Sequence, residues 1–232
     1  MNVRALVSND VLQALQQIPT CVVSNAIETF EVRLRNAGFA DASIRCMVGG
    51  LPPLVGYAAT AHLRSGEPPM SKRIYQDRAD WWKSILEIPE PRVVVLEDMD
   101  QPPGVGAHLG DMHASILQAL GCAGFVTNGA VRELPRLKAM GFQAFAGNVA
   151  VSHAYAHIFD LGKPVKVGGL EIKPGDLLHG DEHGILTIPN EIAPDIPMVA
   201  AKLQEMEQAV IDYCRSREFS VDGLSKLIKE LS

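Results

Sequence analysis

The run Arg92-Val93-Val94-Val95-Leu96-Glu97 constrains this chain more than any other stretch. A continuous, mostly β-branched segment with no apolar–polar alternation reads as a strand covered on both faces. From there to Ala146 the chain alternates helix and strand. Gly110 to Leu120 has the pattern of a helix, with Gly121 placed as its C′ stop. Gly124-Phe125-Val126-Thr127 is a second strand, Asn128-Gly129 a turn, and Glu133 to Met140 a second helix with Pro135 tolerated in its first turn. Gly141 ends that helix, and Phe142 to Ala146 resumes as strand. This βαβαβ rhythm predicts an α/β fold with a sheet that is at least partly parallel.

The flanks are less regular. Asp10 to Ala37 reads as helical, punctuated by Pro19-Thr20, with Val22, Val23, Ala26, Ile27, Phe30 and Leu34 on one stripe of its second part. Gly49-Gly50-Leu51-Pro52-Pro53 is a loop, and Tyr57 to Leu63 has strand character. Beyond Asn148, the segments Val165–Val167, Leu170–Ile172 and Gly184–Ile188 read as short strands between turns. Val199, Leu203, Met206, Val210 and Cys214 make one stripe of a long closing helix. No repeat or second domain is evident. A single domain over 1–232 is expected, with its core at about 49–189 and a C-terminal helical extension over about 191–232.

Composition excludes some partners. Hydrophobic residues make up 47% and charged residues 21%, enough to bury a core, and the net charge is −6. Phosphate neutralisation needs clustered cations; the nearest approach is Ser71-Lys72-Arg73, so no nucleic-acid partner is expected. Cys21, Cys46, Cys122 and Cys214 form no C-x-x-C pair. Met1 to Asp10 lacks a secretory profile, and no apolar run reaches the ~20 residues that span a bilayer. These features predict a cytoplasmic protein with no membrane partner.

The chemistry-bearing stretches are Gly110-Asp111-Met112-His113 and Asn128-Gly129-Ala130-Val131-Arg132-Glu133, each opening a helix after a strand. Ligands of open α/β sheets favour that position, where free amides and the helix dipole attract anions. The amides of Met112 and His113 suit a substrate carboxylate, and the planar fork of Arg132 suits its other side. Asp111 and Glu133 are hard oxygen donors for Mg²⁺ or Mn²⁺. The plain alternative makes Asp111 a helix cap and Arg132-Glu133 a surface pair. His108 and His113 read as hydrogen-bonding loop residues more than as bases. His153 and His157, at i and i+4, form a metal pair only if helical, and a structural role is preferred. Trp81-Trp82 reads as packing, and Asp176 and Asp181 as turn formers.

Two separated blocks carry a resemblance: Gly110-Asp111 with Gly121 through Glu133, Met140-Gly141-Phe142 and Phe145-Ala146, then Lys173-Pro174-Gly175-Asp176 with Asp181-Glu182-His183-Gly184 and Ile188-Pro189. Together they resemble the signature of the RraA-like proteins, over roughly Gly49 to Pro189. That family includes class II pyruvate aldolases acting on 4-hydroxy-4-methyl-2-oxoglutarate and 4-carboxy-4-hydroxy-2-oxoadipate. The resemblance implies a swivelling β/β/α sandwich with N-terminal helices and a C-terminal helix, assembled as a homotrimer or homohexamer with its site between subunits. It implies that Gly110, Asp111, Met112 and His113 bind the pyruvyl carboxylate and that Arg132 holds the oxo-acid end. Glu133 takes the place of the metal-binding carboxylate, and Asp111 that of an acid reaching the metal through water; Asp111 and Arg132 would be catalytic. A glutamate of a neighbour's C-terminal region, Glu205 or Glu207 here, contributes in some members. The family usually has Asp after the arginine. Glu133 is one methylene longer, and would bind directly with a shifted backbone, through water, or not at all, given the ~2.0–2.1 Å octahedral demand of Mg²⁺.

The implied activity is a metal-dependent lyase: a small 4-hydroxy-2-oxo acid is cleaved to pyruvate through an enolate, with oxaloacetate decarboxylation alongside. No lysine lies in Gly110–His113 or Asn128–Glu133, which disfavours a Schiff-base aldolase. The competing class, also represented in the family, is a non-catalytic regulator that binds a ribonuclease.

Overall fold

The computed structural model describes residues 7–69 and 79–231, so Ser71-Lys72-Arg73 lies outside the described residues. Two N-terminal helices, α1 (Asn9–Leu15) and α2 (Thr20–Glu28), precede β1 (Arg45–Cys46) and β2 (Leu54–Arg64). Then come α3 (Ala79–Leu86), β3 (Arg92–Asp98), β4 (Ala107–Leu109), α4 (Asp111–Ala119), β5 (Cys122–Val131), α5 (Leu134–Ala139) and β6 (Gln143–Val149). Five short strands follow: β7 (His157–Phe159), β8 (Val165–Val167), β9 (Leu170–Ile172), β10 (Leu177–Asp181) and β11 (Gly184–Ile188). The chain closes with α6 (Ile196–Arg215) and α7 (Val221–Leu231).

The main sheet has the order β1-β6-β5-β3-β2-β10-β11, with β4 added to β5 and β7 to β2. Its centre, β2-β3-β5-β6, is parallel, and the flanks are antiparallel. Layering explains the unbroken β3 run. Val94 and Leu96 pack with the helices in one core, whereas Val93 and Val95 pack in a second core with the β8–β9 ribbon. Ribbon, sheet and helices form three layers, the β/β/α sandwich. Both faces of β3 are covered, so apolar residues are favoured at every position.

The structure corrects several local expectations. The stripe continuing to Leu34 breaks because α2 stops at Glu28 and Glu31 adopts φ 53°, leaving Leu34 75% exposed. Asn128-Gly129 does not turn; β5 runs through it with a register shift. The Asn128 side chain accepts from the Asp98 amide at 2.6 Å and donates to the Asp98 carbonyl at 3.0 Å, so an amide side chain substitutes for a ladder pair. His153 and His157 are not on a helix. Their Nδ1 atoms bond the Ala154 and Tyr155 carbonyls at 2.7 and 2.9 Å, which removes the i, i+4 geometry. The closing segment is a pair of helices. Among the described residues, no helix is long and apolar enough to cross a membrane.

Asp181 shapes a turn, as expected, by accepting from the His183 amide at 2.9 Å. It also accepts from the Thr20 amide at 2.8 Å, so a β10 carboxylate satisfies an amide at the start of α2, where Pro19 offers no side-chain cap. Burial pushes the Asp181 carboxyl up, but these hydrogen bonds outweigh it and hold the group below the usual carboxylate range. A depressed carboxyl contributes stability that is complete above its unfolded pKa and is lost as pH falls through the folded value. Asp181→Asn is therefore expected to cost about 1 kcal/mol at neutral pH. The gap to wild type should narrow as pH falls below about 4, measured by urea unfolding across that range; a gap independent of pH would refute the ionic cap.

Candidate functional site

Strands β4 and β5 run parallel and deliver their C-terminal ends side by side. The Arg132 amide donates to the Leu109 carbonyl at 2.9 Å, which fixes Arg132 beside Gly110 at the start of α4. The next residue, Glu133, takes the left-handed conformation (φ 59°, ψ 36°) where β5 breaks into α5. That conformation is disfavoured for a non-glycine residue by about 1–2 kcal/mol. It also places the Glu133 carboxylate at the entrance of α4: Oε2 accepts the Asp111 amide at 2.9 Å and lies 3.9 Å from Arg132 Nε.

The Asp111 carboxylate is fixed on both sides. Oδ1 accepts the Met112 amide at 2.7 Å, and Oδ2 pairs with Arg136 Nη1 of α5 at 2.9 Å. Desolvation raises its carboxyl, but the hydrogen bond from the Met112 amide and the Arg136 guanidinium together hold it below the usual range. Asp111 is therefore ionised at neutral pH. Gly110 stands where these groups converge. A Cβ there would lie 2.3 Å from Glu133 Oε2 and 3.1 Å from Arg132 Nε, so only glycine leaves room for both.

An open cleft of about 380 Å³, lined by Arg132, Glu133, Leu134, Val149, Ala150 and Val151, adjoins this cluster. Two of its apolar lining residues, Val149 and Val151, are exposed.

The structure thus gathers Gly110, Asp111, Arg132 and Glu133 into one cluster. The Met112 amide, expected to receive a substrate carboxylate, is engaged by the Asp111 side chain. The His113 ring packs against His108 at 4.6 Å between centroids, and His108 packs on Trp81 and Phe125. His108 is buried rather than a surface loop residue, because β4 carries it under α4. Glu207 of α6 faces α2 of the same chain, with Oε1 3.5 Å from Asn25 Nδ2. Sequence reasoning missed Arg136; its signal was its place three residues after Glu133, in the turn facing Asp111.

The Asp111 and Glu133 carboxylates stand beside each other at the start of α4, and their hard oxygens suit a small divalent cation that keeps several waters. Among the described residues no group of three or more His, Cys, Asp or Glu side chains has metal-holding geometry, and these two carboxylates alone would leave most positions of an octahedral ion to water or substrate.

The RraA-like (Aldolase/RraA) family profile matches residues 20–187. The chain belongs to the RraA-like family. A relative from Halalkalibacterium halodurans, provisionally named 4-hydroxy-4-methyl-2-oxoglutarate aldolase, is 26% identical over 207 residues, 86% of this chain and 86% of its own. Among solved structures, an uncharacterized protein from Pseudomonas syringae pv. tomato matches with TM-score 0.73 at 19% identity over 99% of both chains. Streptomyces coelicolor RraAS2, described as an unusual member of the RNase ES inhibitor RraA protein family, matches with TM-score 0.68 at 19% identity, over 88% of this chain and 97% of its own. These structures establish the RraA-like fold. The family therefore spans proteins named as aldolases and proteins described as ribonuclease inhibitors.

Proposed function

We propose that this RraA-like protein is a divalent-metal-dependent lyase that cleaves a 4-hydroxy-2-oxo acid into pyruvate and a second oxo acid. Oxaloacetate decarboxylation is its expected side reaction. The observation that carries the reading is the convergence of Arg132 and two carboxylates, Asp111 and Glu133, around the space that Gly110 leaves at the ends of β4 and β5. The exposed apolar side chains Val149 and Val151 on the cleft wall, and Met112 in the first turn of α4, support assembly as a trimer or hexamer with the site at a subunit boundary.

Asp111 and Glu133 would hold the cation, Mg²⁺ or Mn²⁺, which when bound supplies Lewis-acid polarisation of the 2-oxo acid. The other roles belong to the chain. Arg132 orients the oxo-acid end and stabilises the negative charge that develops there. Asp111, ionised at neutral pH, positions a water that takes the proton of the 4-hydroxyl. The C3–C4 bond then breaks, its electron pair entering the enolate of pyruvate as the second carbonyl forms. A proton returned from the same water to C3 completes pyruvate.

The deciding experiment is a pyruvate-release assay on 4-hydroxy-4-methyl-2-oxoglutarate and on oxaloacetate. Turnover should be lost in EDTA and return on adding Mg²⁺ or Mn²⁺. Turnover indifferent to EDTA would refute metal dependence. No turnover on either substrate, with recovery of a ribonuclease in pull-downs, would favour the binding-protein role.

A further inference from the structure

The groups that the lyase reading gives to the substrate carboxylate are already holding carboxylates of the chain itself. The Asp111 amide donates to Glu133 Oε2 at 2.9 Å, and the Met112 amide donates to Asp111 Oδ1 at 2.7 Å. Each backbone amide carries a single proton, so an amide engaged in this way has none left for a ligand. The N-cap of α4 is Gly110, which has no side chain to offer, so both acceptors come from neighbouring carboxylates.

Glu133 Oε2 faces a second positive group as well, lying 3.9 Å from Arg132 Nε. A ligand carboxylate that accepted from both the Asp111 amide and Arg132 would need the space this oxygen fills. Gly110 shows how tightly that space is taken, since a Cβ there would meet the same oxygen at 2.3 Å. The left-handed backbone of Glu133, disfavoured for a residue with a Cβ, is what aims the carboxylate at α4.

Of the two internal carboxylates, Glu133 is the one able to yield. Asp111 is held a second time, by Arg136 Nη1 at 2.9 Å. Beyond its amide bond, Glu133 has the long pair with Arg132. Its side chain is about one-third exposed and lines the 380 Å³ cleft, so rotation about its own bonds carries it into open space.

Resting on the lyase reading for which groups receive the carboxylate, we propose that the Glu133 side chain is a tethered occupant of that subsite. A 2-oxo acid binds only as Glu133 swings off the Asp111 amide and Arg132. Glu133 thereby sets the apparent affinity for the acid, because only the fraction of molecules with an open subsite can bind.

The test is isothermal titration of the full chain with sodium pyruvate in EDTA, so that neither turnover nor a cation enters the readout. Glu133→Gly empties the subsite and suits the left-handed backbone. It should bind pyruvate about ten- to a hundredfold more tightly than wild type, the scale of one charge-assisted hydrogen bond. Glu133→Asp keeps the charge but is one methylene too short to reach the amide, and should gain about tenfold. The gain should vanish in Glu133→Gly/Arg132→Ala, which places the bound acid at this cluster. Circular dichroism checks that each variant is folded, and either single variant decides if the other fails. No gain in the folded variants would overturn the proposal. So would a gain in Glu133→Gly that is absent from Glu133→Asp, which would assign the effect to charge, or a gain that survives loss of Arg132. Metal-dependent turnover without these gains would remove the tethered occupant and leave the lyase, whereas the gains without turnover would do the reverse.

Discussion

Arg132→Ala should lower kcat/KM for pyruvate release by about 10²–10³-fold, the range seen when one preorganised donor is removed from a developing anion. Arg132 contributes little to the fold itself. Its side chain is about one-third exposed, and its ion pair with Glu133 is long, at 3.9 Å. Such pairs contribute at most about 1 kcal/mol, so the melting temperature should fall by no more than about 2–4 °C. With its backbone anchored by the bond to Leu109 and its side chain only weakly committed to the fold, Arg132 is available to a ligand. Arg132→Lys separates charge from shape. Lysine keeps the cation but loses the planar two-donor fork, so it should restore only part of the activity and leave KM raised. Wild-type turnover in Arg132→Ala would reduce the Arg132–Glu133 pair to surface decoration and remove the basis for the lyase.

The parts of the fold legible in the sequence are those where one physical requirement dominates. Val93 to Leu96 had to be a doubly covered strand, because both faces meet an apolar layer. Gly121 and Gly141 had to end α4 and α5, since both have left-handed φ, at 72° and 66°. The failures come where a side chain takes over a backbone role. Asn128-Gly129 carries a hairpin signal, yet the Asn128 amide pairs with the Asp98 backbone and the strand continues. Leu34 fits the α2 stripe, but periodicity is blind to the left-handed Glu31 that breaks it. The site divides the same way. That Asp111 and Arg132-Glu133 share one end of the sheet follows from strand–helix alternation. That the Asp111 carboxylate turns back on Met112 and out to Arg136, and that the Glu133 carboxylate takes the Asp111 amide, depends on a left-handed residue and on side-chain pairing between α4 and α5. Neither leaves a periodic trace.

The second large effect is expected from one added methyl group. Gly110→Ala should reduce kcat/KM by about 10²-fold, the cost of displacing catalytic groups by about 1 Å, while destabilising the fold by only about 1 kcal/mol. The backbone at Gly110 (φ −139°, ψ −173°) is extended and open to any residue, so no dihedral strain arises. The effect is purely steric. The new Cβ would stand 2.3 Å from Glu133 Oε2 and 3.1 Å from Arg132 Nε, and both side-chain ends are free enough to retreat. Retreat of Glu133 breaks its bond to the Asp111 amide, but that amide is close to solvent and finds water, which keeps the stability cost small. The clash therefore falls on the two groups proposed to act on substrate and cation. A double-mutant cycle isolates the route: in a Glu133→Ala background the crowding is largely relieved, so Gly110→Ala should add much less than its effect alone. Fully additive losses would show that Gly110 acts elsewhere than through the Glu133 carboxylate, and an unimpaired Gly110→Ala enzyme would show that the chemistry does not need this cluster as the structure arranges it.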